Sequence, residues 1–189
     1  MKPLIIVSHF DDEILGCSSL LQYNPTILVI CGDDERSHIT KSELLNKYHY
    51  INLNYKALEL QKISQSELVD KIKTASLILD YDCVFTHSEF DNHSDHKIVS
   101  NACDIVFRSN RTDNTLYAKF MVEPLNIANF NETLGIKVDL NYKNKLLDLY
   151  KDYIPKSHLD LIINFNKYIG SKYNLGFAEP FEIIYKKGL

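Results

Sequence analysis

The stretch LIIVSHFDDEILGCSSLL, residues 4–21, changes hydrophobic period in its middle. Leu4 to Ser8 is a short, β-branched run that ends in the polar cluster His9-Phe10-Asp11-Asp12-Glu13. Ile14, Leu15, Ser18 and Leu21 then recur at helical spacing, so the segment predicts a strand feeding a helix. Working outward, Thr26 to Cys31 (TILVIC) predicts a second buried strand, stopped by Gly32 and followed by a polar loop over 32–39. Thr40 with Glu43, and Ser64 with Glu67, carry the capping-box pattern. They predict helices over Thr40 to Tyr50 and from Ser64 onward, the latter with one apolar face in Leu68, Val69, Ile72, Ala75 and Leu79. Cys83 to Thr86 (CVFT) predicts a third buried strand, followed by a His-rich loop and a helix bearing Ile98, Val99, Ala102, Ile105 and Val106. Beyond these, strands are expected over Leu116 to Val122, Ile136 to Leu140 and Phe181 to Tyr185, and helices near Lys143 to Tyr153 and Ser157 to Tyr168. Continuous apolar strands alternating with helices indicate a parallel sheet covered on both faces. The expected fold is α/β and Rossmann-like: a mostly parallel sheet with helices on both faces, in a single domain spanning residues 1–189.

Composition narrows the function classes. Of 189 residues, 45% are apolar and 24% charged, enough apolar surface for one sizeable core and too little charge for wholesale disorder. A net charge of −4 with three arginines (Arg36, Arg108, Arg111) argues against nucleic acid as a partner. No apolar run approaches bilayer length, and Leu4 to Val7 is too short for a signal-peptide core. Cys17, Cys31, Cys83 and Cys103 form no CxxC pair, which excludes a zinc ribbon and points to buried free thiols in a reducing compartment. A cytoplasmic, soluble protein is expected, and the composition leaves a homo-oligomer open.

Two polar clusters follow predicted strands: His9 to Glu13, and Asp91-Asn92-His93-Ser94-Asp95-His96. In an open parallel sheet the carboxyl ends of the strands line the ligand crevice, so the two clusters are expected to face one pocket. Their residue types suit zinc, which in hydrolytic centres takes three His or carboxylate ligands and keeps a position open. His9 and Asp12, three apart around a turn, can reach one ion, and His96 can supply a third ligand. Asp11 and His93 then remain unliganded beside it, as amide hydrolysis requires: a carboxylate to take a proton from water and an imidazole to support the oxyanion or protonate the leaving nitrogen. Asp95 or Asp91 is placed to fix a neighbouring histidine's tautomer. A competing reading of Asp11 and Asp12 is helix N-capping.

HFDDEILGCSSLL (His9 to Leu21) with HSDHKIV (His93 to Val99) resembles the paired signature of the PIG-L/LmbE-like zinc-dependent N-deacetylases. Three further segments are similar in position: Glu67 to His87, the lysine-bearing VDLNYKNKLLDLY (Val138 to Tyr150), and GFAEPFEII (Gly176 to Ile184). The resemblance implies that His9, Asp12 and His96 bind Zn²⁺, or another divalent transition metal. It also implies that Asp11 is the general base, that His93 stabilises or protonates the tetrahedral intermediate, and that Asp95 partners His93. The implied activity removes acetyl from an N-acetylated amino sugar or sugar conjugate, a small-molecule substrate, releasing acetate and an amine. The sequence departs from the family pattern at Phe10, Ser18, Ser19 and Ser94, none of them a ligand position.

Other residues carry weaker signals. Arg36, in the loop after the second strand, is placed to grip a sugar hydroxyl or phosphate, or to stand solvated. His87 ends the third strand and reads as structural; His38, His49 and His158 read as surface histidines. Two other functions fit parts of the pattern. One is a zinc amidase for a different acyl group. The other is a Mg²⁺-binding receiver-type signalling domain, which uses an acidic pair after the first strand but leaves HSDH unexplained.

Overall fold

The computed structural model describes residues 1–32, 35–107, 116–123 and 128–187. In chain order the strands are β1 (Pro3–Val7), β2 (Thr26–Val29), β3 (His49–Asn52), β4 (Cys83–His87), β5 (Leu116–Phe120), β6 (Leu134–Lys137) and β7 (Ala178–Lys186). The α-helices are α1 (Asp12–Cys17), α2 (Gln65–Leu77), α3 (Ser94–Phe107), α4 (Leu140–Asp148) and α5 (Lys156–Tyr173). The strands form one seven-stranded sheet in the order β3-β2-β1-β4-β5-β7-β6. β1 to β5 run parallel, and β7 is antiparallel to both β5 and β6.

Side-chain alternation along β1 explains the two-sided cover. Ile5 and Val7 enter a core shared with Ile14 and Leu15 of α1, Leu146 and Leu147 of α4, and Ile162 of α5. Leu4 and Ile6 enter the opposite core, with Leu68 and Ile72 of α2 and Val99, Ala102 and Phe107 of α3. Both faces are dry, which is why these strands read as unbroken apolar runs. From β1 the chain proceeds to β2 and β3 on one side, then returns to β4 and β5 on the other. The sheet's topological switch therefore lies between β1 and β4, whose carboxyl ends carry the two polar clusters.

The helix expected near Lys143 to Tyr153 runs instead from Leu140 to Asp148, and two further expected elements differ. The helix expected over Thr40 to Tyr50 is a 3₁₀ segment (Glu35–Lys41), turns, and then β3. Thr40 does not cap, because its hydroxyl donates to the Ser37 carbonyl (2.8 Å), and Tyr50 is drawn into parallel pairing with Ile27. The strand expected over Ile136 to Leu140 ends at Lys137, because Asp139 caps α4 by accepting from the Tyr142 amide (3.1 Å). By contrast Ser64 caps α2 as its spacing predicts, accepting from the Glu67 amide. The four cysteines are free and buried, also as expected.

The lysine-bearing helix and the closing strand meet behind α1. Lys143 Nζ, fully buried, donates to Leu15 O (2.9 Å), Asn166 Oδ1 (2.8 Å) and Glu179 Oε1 (2.6 Å). Glu179 in turn accepts the amides of Ser18 and Ser19 and the Ser18 hydroxyl. The chain after α1 is thereby pinned by a buried, fully paired charge cluster, since buried charges require partners. Gly16 lets α1 press on β5: a Cβ there would stand 2.5 Å from the Phe120 ring.

Candidate metal centre

The turn after β1 delivers His9 and Asp11 and the start of α1 delivers Asp12; the loop after β4 delivers Asp91 and His93, and the first turn of α3 delivers Asp95 and His96. These residues meet at the switch point. Asp12 lies at the middle: Oδ1 is 3.3 Å from His96 Nε2, and Oδ2 is 3.5 Å from His9 Nδ1 and 3.3 Å from His87 Nε2. The His93 ring stands 4.8 Å from that of His9 and 4.6 Å from that of His96, centroid to centroid. Neither acidic residue uses its side chain to cap α1: Asp12 Oδ2 accepts the His9 amide (2.8 Å), and the Asp11 carboxylate pairs with Arg36.

A carboxylate backs each outer imidazole. His9 Nε2 is 3.0 Å from Asp95 Oδ2, and His96 Nδ1 is 3.0 Å from Asp91 Oδ1. Asp91 is itself fixed by the Val122 amide (2.9 Å), and Asp95 by the Leu58 amide (2.8 Å). The expected partnership of Asp95 with His93 takes a different form. The Asp95 carboxylate engages His9, and only its backbone amide reaches His93, donating to Nδ1 (3.2 Å). A neutral His93 that accepts at Nδ1 carries its proton on Nε2.

The donor set fits a divalent ion. Among the described residues three trios, Asp12-His87-His96, His9-His93-His96 and His9-Cys31-Asp95, hold ligand atoms within 4.8 Å of one another; the expected set His9, Asp12 and His96 is divided between the first two and is not itself one of them. Both ring nitrogens of His96 are buried without a hydrogen bond of good geometry. Burial opposes charge on His9 and His96, yet Asp12 and Asp95 raise the first to about 12, and Asp12 and Asp91 raise the second to about 9. The pocket therefore favours two positive charges, which a divalent ion supplies once those protons leave.

The paired carboxylates are driven apart. Burial and the neighbouring Asp12 push Asp11 well above the ordinary carboxylate range, against the pull of Arg36. Burial works the same way on Asp12, but the imidazoles of His96 and His87 outweigh it and hold its carboxyl well below that range. Opposed environments of this kind give two adjacent carboxylates different tasks. Asp11 is held rigidly for its own: its φ is 132°, its amide donates to Glu13 Oε2 (3.2 Å), and its carbonyl accepts from Ile14 and Leu15. Tyr50 anchors Glu13 in turn (2.8 Å).

A cleft of about 270 Å³ opens on the cluster, lined by His9, Asp11, Asp12, Arg36, His93 and His96 and walled by Leu58, Glu123, Tyr153 and His158. A larger bowl of about 760 Å³, around Ser19, Lys47 and Tyr142, holds no histidine and one carboxylate, so volume alone does not mark the chemistry. One histidine differs from expectation, and another adds a contact to the expected role. His158 is half-buried in the cleft wall, brought there by the first turn of α5 rather than left on the surface. His87 is fully buried, accepts the Ser8 amide at Nε2 (2.9 Å) and stacks on His96 at 3.9 Å. The structural part expected of it is there, but in contact with the cluster.

Carboxylates that orient histidines of this kind typically tune metal affinity 10–100-fold. Asp91→Asn is therefore expected to weaken divalent-ion binding by roughly that factor. Competition against a chromophoric chelator measures it, and an unchanged affinity would show that Asp91 serves only the Val122 turn.

Fold and cluster together define an α/β protein with a buried His/Asp centre at the switch point of its sheet, the fold expected from the resemblance to PIG-L/LmbE-like deacetylases. No family model and no curated sequence matches the chain. Solved structures of the same fold do. The conserved protein TT1542 of Thermus thermophilus superposes with a TM-score of 0.75 at 19% identity, over 96% of this chain and 94% of that one. The N,N'-diacetylchitobiose deacetylase of Pyrococcus horikoshii gives 0.70 at 15% identity, over 96% and 83%. The 4-carboxy-2-hydroxymuconate hydratase GalB of Pseudomonas putida gives 0.69 at 10% identity, over 100% and 98%. The fold thus hosts more than one reaction, and chemistry must be argued from the site.

Proposed function

We propose that the chain is a zinc-dependent N-deacetylase that hydrolyses the acetamide of an N-acetylated amino sugar or sugar conjugate. The observation that carries this reading is that Asp11 and His93 line the same cleft as His9, Asp12 and His96. His9 through Nδ1, Asp12, and His96 through Nε2 are the proposed ligands. Zinc held there supplies a Lewis acid for the acetamide carbonyl and favours ionisation of water.

Asp11, ionised beside Arg36 on the cleft, accepts the proton of the attacking water. The acetamide C–N bond then breaks as that proton passes to the leaving nitrogen, giving acetate and an amine. His93 donates from Nε2–H to the carbonyl oxygen as it gains charge, because its Nδ1 is committed to the Asp95 amide. Burial and the nearby His96 and His9 lower its proton affinity, which supports the neutral, donating ring. Arg36 pairs with Asp11 at the cleft and remains the proposed contact for a substrate hydroxyl at the same rim. Tyr153 offers a partly exposed ring to a sugar face. Imidazole donors suit zinc and not Mg²⁺, which favours this reading over the receiver-type alternative.

Among the described residues no helix is long and apolar enough to cross a membrane. Acetate and free-amine release, measured across N-acetylglucosamine, chitobiose-type and other conjugated N-acetyl sugars, tests the proposal. Release from at least one supports it. Release of a different acyl group alone favours the broader amidase reading, and water addition to an unsaturated acid, as the hydratase fold relative suggests, contradicts both. His93→Ala is expected to keep zinc and KM while losing roughly 10²–10³ in kcat, the cost of a missing oxyanion donor. Steady-state kinetics beside metal analysis checks this, and metal loss in the variant would make His93 a ligand.

A further inference from the structure

The two ring nitrogens of His9 face different company. Nδ1 is turned to Asp12, the edge used in the centre described above. Nε2 lies on the other edge, 3.0 Å from Asp95 Oδ2, and Cys31 reaches the same place from the chain just beyond β2. The Cys31 Sγ is 4.0 Å from Asp95 Oδ2. A ring nitrogen of His9, the Cys31 sulfur and an Asp95 oxygen all lie within 4.8 Å of one another, and all three residues are buried. Asp95 Oδ1 is buried too, with no hydrogen bond. The oxygen that meets His9 and Cys31 is Oδ2, and an ionised carboxylate has lone pairs for a metal beyond the hydrogen bonds it accepts. Thiolate, imidazole and carboxylate together form a donor set for soft or borderline divalent ions.

We propose that His9, Cys31 and Asp95 form a second, inner metal site that takes a thiophilic divalent ion in competition with the outer centre. A neutral imidazole has one lone pair to give, and bridging two ions would require it to lose its second proton as well. His9 therefore serves one site at a time. When an ion enters the inner site, the Cys31 thiol releases its proton to solvent, and the His9 ring proton moves from Nε2 to Nδ1. Nδ1 then carries a proton and no longer ligates, so the outer centre keeps Asp12 and His96 alone. Inner occupancy by such an ion thereby inhibits the enzyme. The competition clause rests on the outer ligand set proposed above; the inner cluster stands on its own geometry.

Cadmium distinguishes the two, because a thiolate–cadmium bond gives an ultraviolet charge-transfer band that oxygen and nitrogen ligands do not. Metal-free wild type, Cys31→Ser, Asp12→Ala and His9→Ala are titrated with Cd²⁺, and bound metal is counted separately after loading with Zn²⁺. The expected result is a band saturating at one equivalent in wild type. It is retained in Asp12→Ala, lost in Cys31→Ser and lost in His9→Ala, while Cys31→Ser still holds one equivalent of Zn²⁺. No band in wild type, or a band that survives Cys31→Ser, would overturn the inner site. A band in wild type together with no zinc in Cys31→Ser would leave the inner site standing and remove the outer one.

Discussion

Replacing Asp12 with alanine is expected to leave a folded protein that no longer retains a divalent ion. Asp12 is the carboxylate on which His9, His87 and His96 converge, at 3.3–3.5 Å. Its loss removes a donor and also the negative charge that raises the proton affinity of His9 and His96. Loss of a residue that only orients a ligand costs roughly 10–100-fold in affinity, and loss of the ligand itself exceeds that. Metal content after gel filtration checks the result, with the thermal midpoint showing that the chain is folded. Zinc content equal to wild type would remove Asp12 from the ligand set, and acetate release should vanish with the metal.

Asp11→Asn separates binding from chemistry and has the second large effect. The variant is expected to keep its zinc and lose on the order of 10²–10⁴ in turnover, the usual cost of removing a general base. Asparagine matches aspartate in shape and backbone preference, so the 132° conformation that aspartate already adopts is expected to survive. The Ile14 and Leu15 amides still bond to its carbonyl. What disappears is a proton acceptor, and with it the ion pair to Arg36. Arg36→Met is the control for that second loss, and turnover beside metal analysis reads both. Near-wild-type turnover in Asp11→Asn would assign the base elsewhere, with Glu123 at the cleft wall the next carboxylate to test.

The sheet was readable because its signals are local. LIIV and CVFT are unbroken apolar runs since both faces of β1 and β4 are covered, and Ser64 caps α2 through a bond within one turn. The Thr40 and Glu43 pattern has the same letters and a different outcome. Its residues are committed to a 3₁₀ turn and then to an edge strand, whose partner, β2, lies more than twenty residues back. Pairing at that distance leaves no mark in a short window.

The site divides the same way. His9, Asp11, Asp12, His93 and His96 stand in two short motifs, and the switch point that joins them follows from the strand order. Which carboxylate backs which imidazole does not. Asp95 turns to His9 because the Leu58 amide holds it there, and Asp91 turns to His96 with the Val122 amide behind it. His158, His87 and Cys31 stand alone in sequence, and only the packing of α5, β4 and β2 around the cleft gives them neighbours. Lys143 and Glu179, thirty-six residues apart, became a pair only when α4 and β7 closed behind α1.

One ion held by His9, Asp12 and His96 is proposed to drive acetate release. Protein stripped by chelation is titrated with zinc while acetate is measured on the best N-acetyl sugar of the panel. Activity should be absent from the stripped protein, rise in proportion to added zinc and level off at one equivalent per chain, and Asp12→Ala should stay inactive at every zinc concentration. Full acetate release from stripped protein, or recovery of Asp12→Ala with zinc, would contradict the account.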